Sequence, residues 1–549
     1  MHEPEKSFHA DAIVVGAGAA GGLAAQLLTE AGLNVTVLDA GWTRPFHKRP
    51  MHWALSKLSS KAADPRALSF LPSGFVWKGR QVLKLLGSVR QPVQSNCFAW
   101  ERAPDSFVDD LQNPFCTPEE SPFTWLRARQ VGGRMTVPGH GRQYYRLSPE
   151  ELQPADGQSA QWPVTADELA PWYARVEEMI GLNGRCEGHP AVPDSKIKTE
   201  LTHTRQEQVL CRTLTDHWPE LKPVLGRYAP PINTIDAARR TGRMTLQRGA
   251  IAKRVIVNSA HQAEGVEWID ARSKEVHITK APIVFLCASA FESTRILMMS
   301  SSAQSAEGLG ARSGALGSYI MDHVLVRSDG TGGALEDEPV SMEDGRCIYL
   351  PRFDQVFGET GDLTRGFGLQ LYQSSGRPGS SYFTAVSFGE MIPDEKNRIE
   401  LDPRRCDAWG IPIPHIICTH TEHERQLAGL QAEALKSIAD LMGAKLTQSD
   451  LTAEPPGMAA HECGGARFGR SPENSVLDSF CESWDARGLF VTDGSVFPSQ
   501  GTQNPTLTIM ALTARACERA LVRYGAALQP FEESEKLRSS TAASGIADG

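Results

Sequence analysis

The sequence lacks several features that would restrict the protein to a specialised class. No run approaches the ~18 consecutive apolar residues of a membrane-spanning helix. The 11 cysteines form no paired C-x-x-C motif and no regular spacing, which argues against a zinc site or a disulfide framework and favours a reducing compartment. Acidic residues precede the first apolar run, so no signal peptide is expected and the predicted location is the cytoplasm.

An excess of positive charge is also absent. The chain has 56 Lys and Arg against 65 Asp and Glu, a formal net charge of −9, which argues against nucleic-acid binding. The charge is uneven, because residues 44–90 contain ten Lys or Arg and a single acid, Asp64. We interpret this basic segment as solvated positive surface; the alternative is a surface that docks a membrane or an acidic redox partner.

The 549 residues are enough for about three domains, and strand and helix signals follow one another along them. Residues 10–40 have the pattern of a buried strand, a turn, a helix and a second buried strand. Strands are predicted across 244–289 and again from about 330 to 420. Helices are predicted after an N-cap at Thr165 and over 421–444, where the apolar spacing is amphipathic.

A glycine-rich turn joins the first strand to its helix. Gly16, Gly18 and Gly21 form a G-x-G-x-x-G motif, and Asp39 follows at the end of the next strand. Gly16 permits a tight turn, Gly18 lets the backbone approach a pyrophosphate at the helix N-terminus, and Gly21 lets the helix pack on the strand. Asp39 can accept hydrogen bonds from adenosine ribose hydroxyls. The motif predicts a dinucleotide site but does not separate FAD from NAD.

The C-terminal part of the chain distinguishes FAD from NAD, because it resembles a known family. Residues 459–521 contain AAHECGGARFGRSPENS, GLFVTDG and NPTLTIMALTARA, and with the N-terminal turn they resemble the glucose–methanol–choline (GMC) family of FAD oxidoreductases. The resemblance is strongest to the branch of pyranose oxidases and bacterial glucose, gluconate and sorbitol dehydrogenase flavoprotein subunits. Further similar segments lie at 288–297, 316–324 and 389–416, so the resemblance extends over nearly the whole chain.

The resemblance implies roles for individual residues. His461 corresponds to the catalytic histidine of the family, and Asn504 to its partner, which is His or Asn in different members. Oxidation of an alcohol needs a base for the hydroxyl proton while a hydride leaves carbon for flavin N5, and the pKa of histidine suits that task near neutrality. Asp493 and Gly494 correspond to a contact near the pyrophosphate and the ribityl chain.

Further segments are implied to line the cofactor. The helix that carries Pro505 and Thr506 in its first turn would direct its N-terminal amides at the N1–C2=O edge of the flavin, where reduction places negative charge. Gly132 and Gly133 resemble the segment that passes the flavin ring. Some relatives attach FAD covalently through a histidine four residues after the second glycine; Val137 stands there, so non-covalent FAD is expected.

Three more positions have an implied counterpart in the family. Ala250 corresponds to a position whose backbone contacts adenine. Asp322 and His323 match a common MDH element, and we interpret both as structural residues. No metal is expected.

The expected fold class is α/β, with a doubly wound, Rossmann-like FAD-binding domain and an α+β substrate domain that carries an antiparallel sheet, the GMC architecture. The predicted segments are 8–45, 121–145, 240–325 and 460–525 for the FAD-binding domain, 146–239 and 326–459 for the substrate domain, 46–120 for a basic irregular excursion or lid, and 526–549 for a disordered tail.

The implied function is FAD-dependent oxidation of a secondary alcohol of a sugar or glycoside, at C2 or C3 of a pyranose, by hydride transfer to flavin N5 with a histidine base. Oxygen, a quinone and a cytochrome are the candidate acceptors. One alternative is the flavoprotein subunit of a membrane-associated sugar or polyol dehydrogenase, exported with a small partner subunit and passing electrons to a cytochrome. The other alternative is a non-redox GMC-type flavoprotein lyase.

Overall fold

The computed structural model describes residues 8–41, 85, 89–100, 103–137, 143–154, 157, 161–230, 234–301, 305–332, 345–358, 363–375, 381–448, 451–523 and 525. Its strands are β1 Phe8–His9, β2 Ala12–Val15, β3 Val35–Asp39, β4 Asn183–Gly184, β5 Thr199–Glu200, β6 Val224–Leu225, β7 Met244–Arg248, β8 Ala250–Val257, β9 Ala263–Asp270, β10 Val276–Lys280, β11 Ile283–Leu286, β12 Val324–Gly332, β13 Ile348–Leu350, β14 Phe367–Ser375, β15 Ser381–Gly389, β16 Arg398–Cys406, β17 Pro412–Ile417, β18 Ala444–Leu446 and β19 Leu489–Val491. Its α-helices are α1 Ala19–Glu30, α2 Pro149–Leu152, α3 Ala166–Ile180, α4 Arg205–His217, α5 Thr234–Arg240, α6 Ala290–Met299, α7 Glu422–Leu441 and α8 Thr506–Arg523.

A parallel sheet of five strands, in the order β19-β11-β2-β3-β7, forms the centre of the larger core. The central strand β2 is buried at every residue, as a parallel strand covered on both faces requires. Helices α1, α5 and α8 pack together beside this sheet, and a second sheet, β1-β10-β9-β8, adjoins it. Strand, helix and strand therefore follow one another over residues 10–40 as the sequence predicts, and the α/β fold class is confirmed.

A six-stranded sheet, in the order β18-β12-β15-β14-β13-β6, forms the second core. Its strand pairs are antiparallel, and α7 packs on β12, β15 and β18. Helix α7 begins at a capping box, in which Thr421 and Glu424 satisfy each other's backbone amides. One face of this sheet covers the apolar side of α7, and its other face borders a cavity shared with the parallel sheet.

Helix α3 packs on the core of the parallel sheet, whereas the predicted division assigns it to the substrate domain. Its N-cap is Thr165, as predicted, but Leu169, Tyr173 and Val176 belong to the hydrophobic core around the parallel sheet. The Tyr173 hydroxyl lies 2.8 Å from the hydroxyl of Thr508 in α8. We propose the domain division given above with one change, in which α3 joins the FAD-binding domain.

Two predicted segments fall largely outside the described residues. The basic segment 44–90 is described only at Leu85, Val89 and Arg90, and the tail 526–549 is not described at all. In the part of the chain that the structure covers, no helix is long and apolar enough to cross a bilayer.

Candidate active site

A cavity of about 880 Å³ lies where the carboxyl ends of β2 and β3 approach the antiparallel sheet. This is the edge at which parallel α/β sheets bind ligands. Its volume is in the range of cofactor and substrate sites. Most of the residues singled out in the sequence line it: Gly16, Gly18, Asp39, Gly133, Ala250, His461, Asp493, Gly494, Asn504, Pro505 and Thr506.

The glycine turn is shaped by backbone contacts on two sides and opens on the third. Gly16 has φ +92°, and a Cβ there would lie 2.3 Å from the Cys287 carbonyl oxygen. A Cβ at Gly21 would lie 1.9 Å from the Gly16 oxygen, so α1 packs tightly on the turn at this residue, which does not line the cavity. A Cβ at Gly18 would meet nothing closer than Gly133 Cα at 4.0 Å. The backbone of Gly18 therefore faces open space at the N-terminus of α1.

Asp39 ends β3 and is held by backbone amides. Its Oδ2 accepts from Ala17 N at 2.8 Å and its Oδ1 from Gly41 N at 2.7 Å. Burial raises the pKa of this carboxyl, whereas the two amide hydrogen bonds lower it. Each oxygen retains a second acceptor position. Asp39 thus shapes the turn and also lines the cavity.

The two glycines of the VGG segment have different surroundings. Gly133 lies against Gly18 at the cavity wall, and a Cβ on it would lie 2.9 Å from Gly18 Cα. Gly132 does not line the cavity; its N–H donates to the Ala17 oxygen at 3.0 Å, which ties this segment to the glycine turn. Val137 is buried in a small apolar cluster.

His461 and Asn504 meet on the cavity wall. His461 Nε2 lies 3.2 Å from Asn504 Nδ2, and Asn504 Oδ1 accepts from Gln370 Nε2 at 2.7 Å. The other ring nitrogen of His461, Nδ1, lies 2.9 Å from His323 Nδ1. The backbone N–H of His461 donates to Asp322 Oδ1 at 2.8 Å, and this hydrogen bond fixes the backbone of the loop.

Backbone strain and a partly buried ion pair also hold the histidine loop. Ala460 has φ +57°, a left-handed conformation that is costly for a residue with a Cβ. Arg134 donates to the Ala460 carbonyl and, at 2.5 Å, to Glu462. The loop that carries His461 is therefore clamped to the 3₁₀ turn that follows Gly132.

Asp493 accepts hydrogen bonds from neighbouring residues of the protein and stabilises the turn that follows β19. Its Oδ1 accepts from the Ser495 N–H and hydroxyl, and its Oδ2 accepts from the Ser293 hydroxyl at 2.5 Å. A Cβ at Gly494 would lie 2.6 Å from the Glu462 carbonyl oxygen, so only glycine fits there. Pro505 directly precedes α8 rather than occupying its first turn, and its carbonyl accepts from Ile509 N at 3.0 Å.

The sequence interpretation missed the wall that the antiparallel sheet contributes. Cavity-lining residues alternate along two strands, as the pleat requires: Gln370 and Tyr372 on β14, and Thr384, Val386 and Phe388 on β15. Three consecutive residues of β12, Arg327, Ser328 and Asp329, also line the cavity. The period-two pattern was the available signal, but it does not show which face of the sheet meets a site. His323 was interpreted as structural, and its contact with His461 was not predicted.

Comparisons with known proteins identify the class. Residues 393–513 match the GMC oxidoreductase family model, and residues 14–44 match an NAD(P)-binding Rossmann-like domain. Residues 393–513 therefore carry the C-terminal domain of GMC oxidoreductases. The cofactor of the protein is FAD, and the recognition of the family from the sequence is confirmed.

Relatives of this protein match it over nearly its whole length. It is 26% identical to a 2-methyl-1,2-propanediol dehydrogenase of Mycolicibacterium austroafricanum, covering 92% of this chain and 94% of the relative. It is 22% identical to the large subunit of a fructose dehydrogenase of Gluconobacter japonicus, covering 94% and 98%. A solved formate oxidase of Aspergillus oryzae shares the fold at a TM-score of 0.61 and 14% identity, covering 95% and 100%.

The residues present fit FAD. The open backbone at Gly18, beside the N-terminus of α1, suits a diphosphate, which favours backbone N–H donors and the positive end of a helix. Asp39 stands at the strand end where an adenosine ribose is bound in this motif. The distance from this turn to His461 is spanned by one continuous cavity.

Proposed function

We propose that this GMC oxidoreductase oxidises a secondary alcohol of a sugar or glycoside, at C2 or C3 of a pyranose, with His461 as base. The observation that carries the proposal is the pair formed by His461 Nε2 and Asn504 Nδ2, 3.2 Å apart on the cavity wall. A substrate hydroxyl placed beside the pair, within hydrogen-bond distance of both atoms, would donate its proton to Nε2 and accept a hydrogen bond from the Asn504 amide. FAD supplies the hydride acceptor when bound.

The polar wall of the antiparallel sheet supports a substrate with several hydroxyls. Arg327 pairs with Glu454 at 3.0 Å at the cavity, and the Thr384 hydroxyl donates to Asp329 at 2.6 Å. Groups of this kind have further donor and acceptor positions that can bind hydroxyls in place of water, and an unbranched aliphatic alcohol offers no hydroxyl to most of them. The two relatives are named for a diol and for a sugar, and both of these compounds carry more than one hydroxyl.

For the cofactor, we propose that the glycine turn and Asp39 hold the adenosine diphosphate part, with Gly133, Ala250 and Gly494 lining its path. The start of α8, at Pro505 and Thr506, then lies at the flavin. Unpaired amides at a helix N-terminus stabilise negative charge, so this end of α8 favours the reduced cofactor.

An anaerobic screen tests the function. The purified holoprotein is mixed with pyranoses, glycosides, polyols and simple alcohols, and bleaching of the flavin absorbance is followed. We expect a pyranose or glycoside to bleach it faster than an aliphatic alcohol. If no compound with a secondary alcohol bleaches the flavin, the oxidation proposal is wrong. Oxygen, a quinone or a cytochrome is then added to the reduced enzyme, and the fastest reoxidant identifies the acceptor.

The role of His461 is tested by His461→Ala. The variant should keep its bound flavin and lose about 10²–10⁴-fold in the substrate-driven reduction rate, since a positioned base contributes that much. His415→Ala, at a partly exposed position of β17 outside the cavity, is the matched control and should reduce at the wild-type rate. A His461→Ala variant with near wild-type reduction removes the residue from the base role.

A further inference from the structure

A chain of hydrogen bonds passes through His461 and continues on both sides of it. On one side, His323 Nδ1 lies 2.9 Å from His461 Nδ1, and His323 Nε2 lies 2.9 Å from the Gly501 carbonyl oxygen. On the other side, Asn504 contacts Gln370, whose Oε1 accepts from the Tyr372 hydroxyl at 2.7 Å. The amide atoms of Asn504 and Gln370 have fixed donor and acceptor roles, whereas each ring nitrogen of the two histidines can donate or accept, depending on the tautomer.

The Gly501 carbonyl sets the direction of the whole chain, because a carbonyl oxygen can only accept. His323 Nε2 must therefore carry the hydrogen. A neutral imidazole has one N–H and one lone pair, so His323 Nδ1 is an acceptor. His461 Nδ1 must then donate to it, which leaves the lone pair of neutral His461 on Nε2, facing Asn504.

The Gly501 carbonyl also excludes the other tautomer of neutral His461, in which Nε2 carries the hydrogen. If His461 carried its hydrogen on Nε2, its Nδ1 would require a donor from His323 Nδ1. The lone pair of His323 Nε2 would then face the lone pairs of the Gly501 oxygen at 2.9 Å. Burial lowers the pKa of His323 to about 4, so a doubly protonated ring does not resolve this conflict near neutrality.

The Gly501 peptide is itself held in place. Gly501 N donates to Glu390 at 3.0 Å, and the next residue, Thr502, donates its N–H to Glu151 at 2.8 Å. A Cβ at Gly501 would lie 2.8 Å from Leu147, so the backbone is enclosed on its open side. The His323 ring is 1% exposed and packs edge-on against His461, at a ring-centroid distance of 5.0 Å.

We propose that His323 is a positioning residue that holds His461 in the tautomer whose Nε2 can take the substrate proton. This inference rests on the proposed role of His461. His323 also accepts from His461 Nδ1 after Nε2 has taken the proton, when that N–H belongs to an imidazolium. Hydrogen bonds from charged donors are stronger than those from neutral ones, so His323 stabilises the protonated form more than the neutral form.

Three substitutions distinguish the hydrogen bond that His323 accepts from His461 from the one that it donates to Gly501. Asn places an acceptor near the former Nδ1, so His323→Asn keeps the bond to His461 and loses the bond to Gly501. His323→Gln reaches toward Gly501 and presents a methylene near the former Nδ1. His323→Phe keeps the ring volume and loses both bonds. Flavin content and the unfolding midpoint in urea show that each variant is folded and loaded.

The reduction rate and its pH profile are the kinetic readouts. We expect His323→Gln and His323→Phe to lose about tenfold in the flavin reduction rate at saturating substrate, and the acid limb of the profile to move about one pH unit lower. His323→Asn should retain most of the rate. Charged groups around the two rings are constant across the variants: Asp322, Arg134 with Glu462, Arg365 with Glu390, Glu151, and Arg327 with Glu454.

A tautomer measurement provides a readout that does not depend on turnover. In holoprotein labelled with ¹⁵N-histidine, His461 is assigned by its absence in His461→Asn, and its two ring nitrogens should show hydrogen on Nδ1. Hydrogen on Nε2 overturns the proposal, and so does a His323→Gln variant that reduces flavin as fast as His323→Asn. If the tautomer is as expected and no alcohol bleaches the flavin, the positioning holds and the proposed reaction is wrong.

Discussion

Replacing Gly18 with alanine should weaken FAD binding while leaving the apoprotein folded. Gly18 has φ −78°, which alanine adopts without strain, and its new Cβ would meet nothing closer than 4.0 Å. The apoprotein should be unchanged or more stable by about 0.4–1 kcal/mol, because losing a glycine restricts the unfolded chain. The added methyl occupies the space where the diphosphate of FAD is proposed to lie, so we expect the Kd for FAD to rise about 10–100-fold, or ~1.4–2.7 kcal/mol.

Gly21→Ala, three residues along the same turn, should have the opposite profile. Its Cβ would lie 1.9 Å from the Gly16 carbonyl oxygen and 3.1 Å from Cys287 Cβ. The nearer atom belongs to the backbone, so α1 and β2 must separate. Overpacking of this kind costs about 1–3 kcal/mol or more, and alanine's better helix propensity offsets at most ~1 kcal/mol. The apoprotein itself should lose stability.

The assay compares the two variants as apoproteins, by urea unfolding and by FAD titration with quenching of flavin fluorescence. Gly429→Ala, on α7, is the control: its Cβ would meet nothing within 4 Å, so it should stabilise the protein and leave the Kd for FAD unchanged. The reasoning is refuted if Gly18→Ala binds FAD as wild type does, or if it destabilises the apoprotein as much as Gly21→Ala.

Two further substitutions test the histidine loop and the cap of α7. Ala460→Gly relieves a φ of +57°, which is worth about 1–2 kcal/mol, but the new glycine frees the unfolded chain at a cost of about 0.4–1 kcal/mol. The free energy of unfolding in urea should therefore stay level or rise by up to about 1.5 kcal/mol; a loss of about 0.4–1 kcal/mol would show that the loop carries no strain. Burial alone would raise the pKa of Glu424, but His423, Thr421 and the Ile392 N–H lower it from 4.5 to about 2. Between these values the unfolded state binds more protons, so Glu424 stabilises the fold above pH 4.5 and this contribution is lost as pH falls toward 2. Glu424→Gln should therefore unfold in less urea than wild type at pH 7, by an amount of order 3 kcal/mol, and the difference should narrow at pH 3; a pH-independent difference contradicts the reasoning.

Much of the fold follows from local patterns in the sequence. The β-branched apolar runs that predict β2 and β3 are the residues that a buried parallel strand needs, and the amphipathic spacing over 421–444 gives α7 within three residues at its C-terminal end. The surroundings of α3 do not follow in this way. Periodicity shows which side of a helix is apolar, but both cores of this protein offer an apolar surface to cover it.

The candidate site could be predicted to the extent that its residues belong to contiguous motifs. The glycine turn and the Asn504-Pro505-Thr506 segment are each local, whereas the chain from Gly501 through His323 and His461 to Gln370 joins segments more than 100 residues apart. His323 is fully buried with both ring nitrogens hydrogen-bonded, which is also how a purely structural histidine is held. A structural histidine and a positioning histidine differ only in which residue the ring is hydrogen-bonded to. That identity depends on the packing of two sheets against each other, and no pattern within β12 or its flanking residues encodes it.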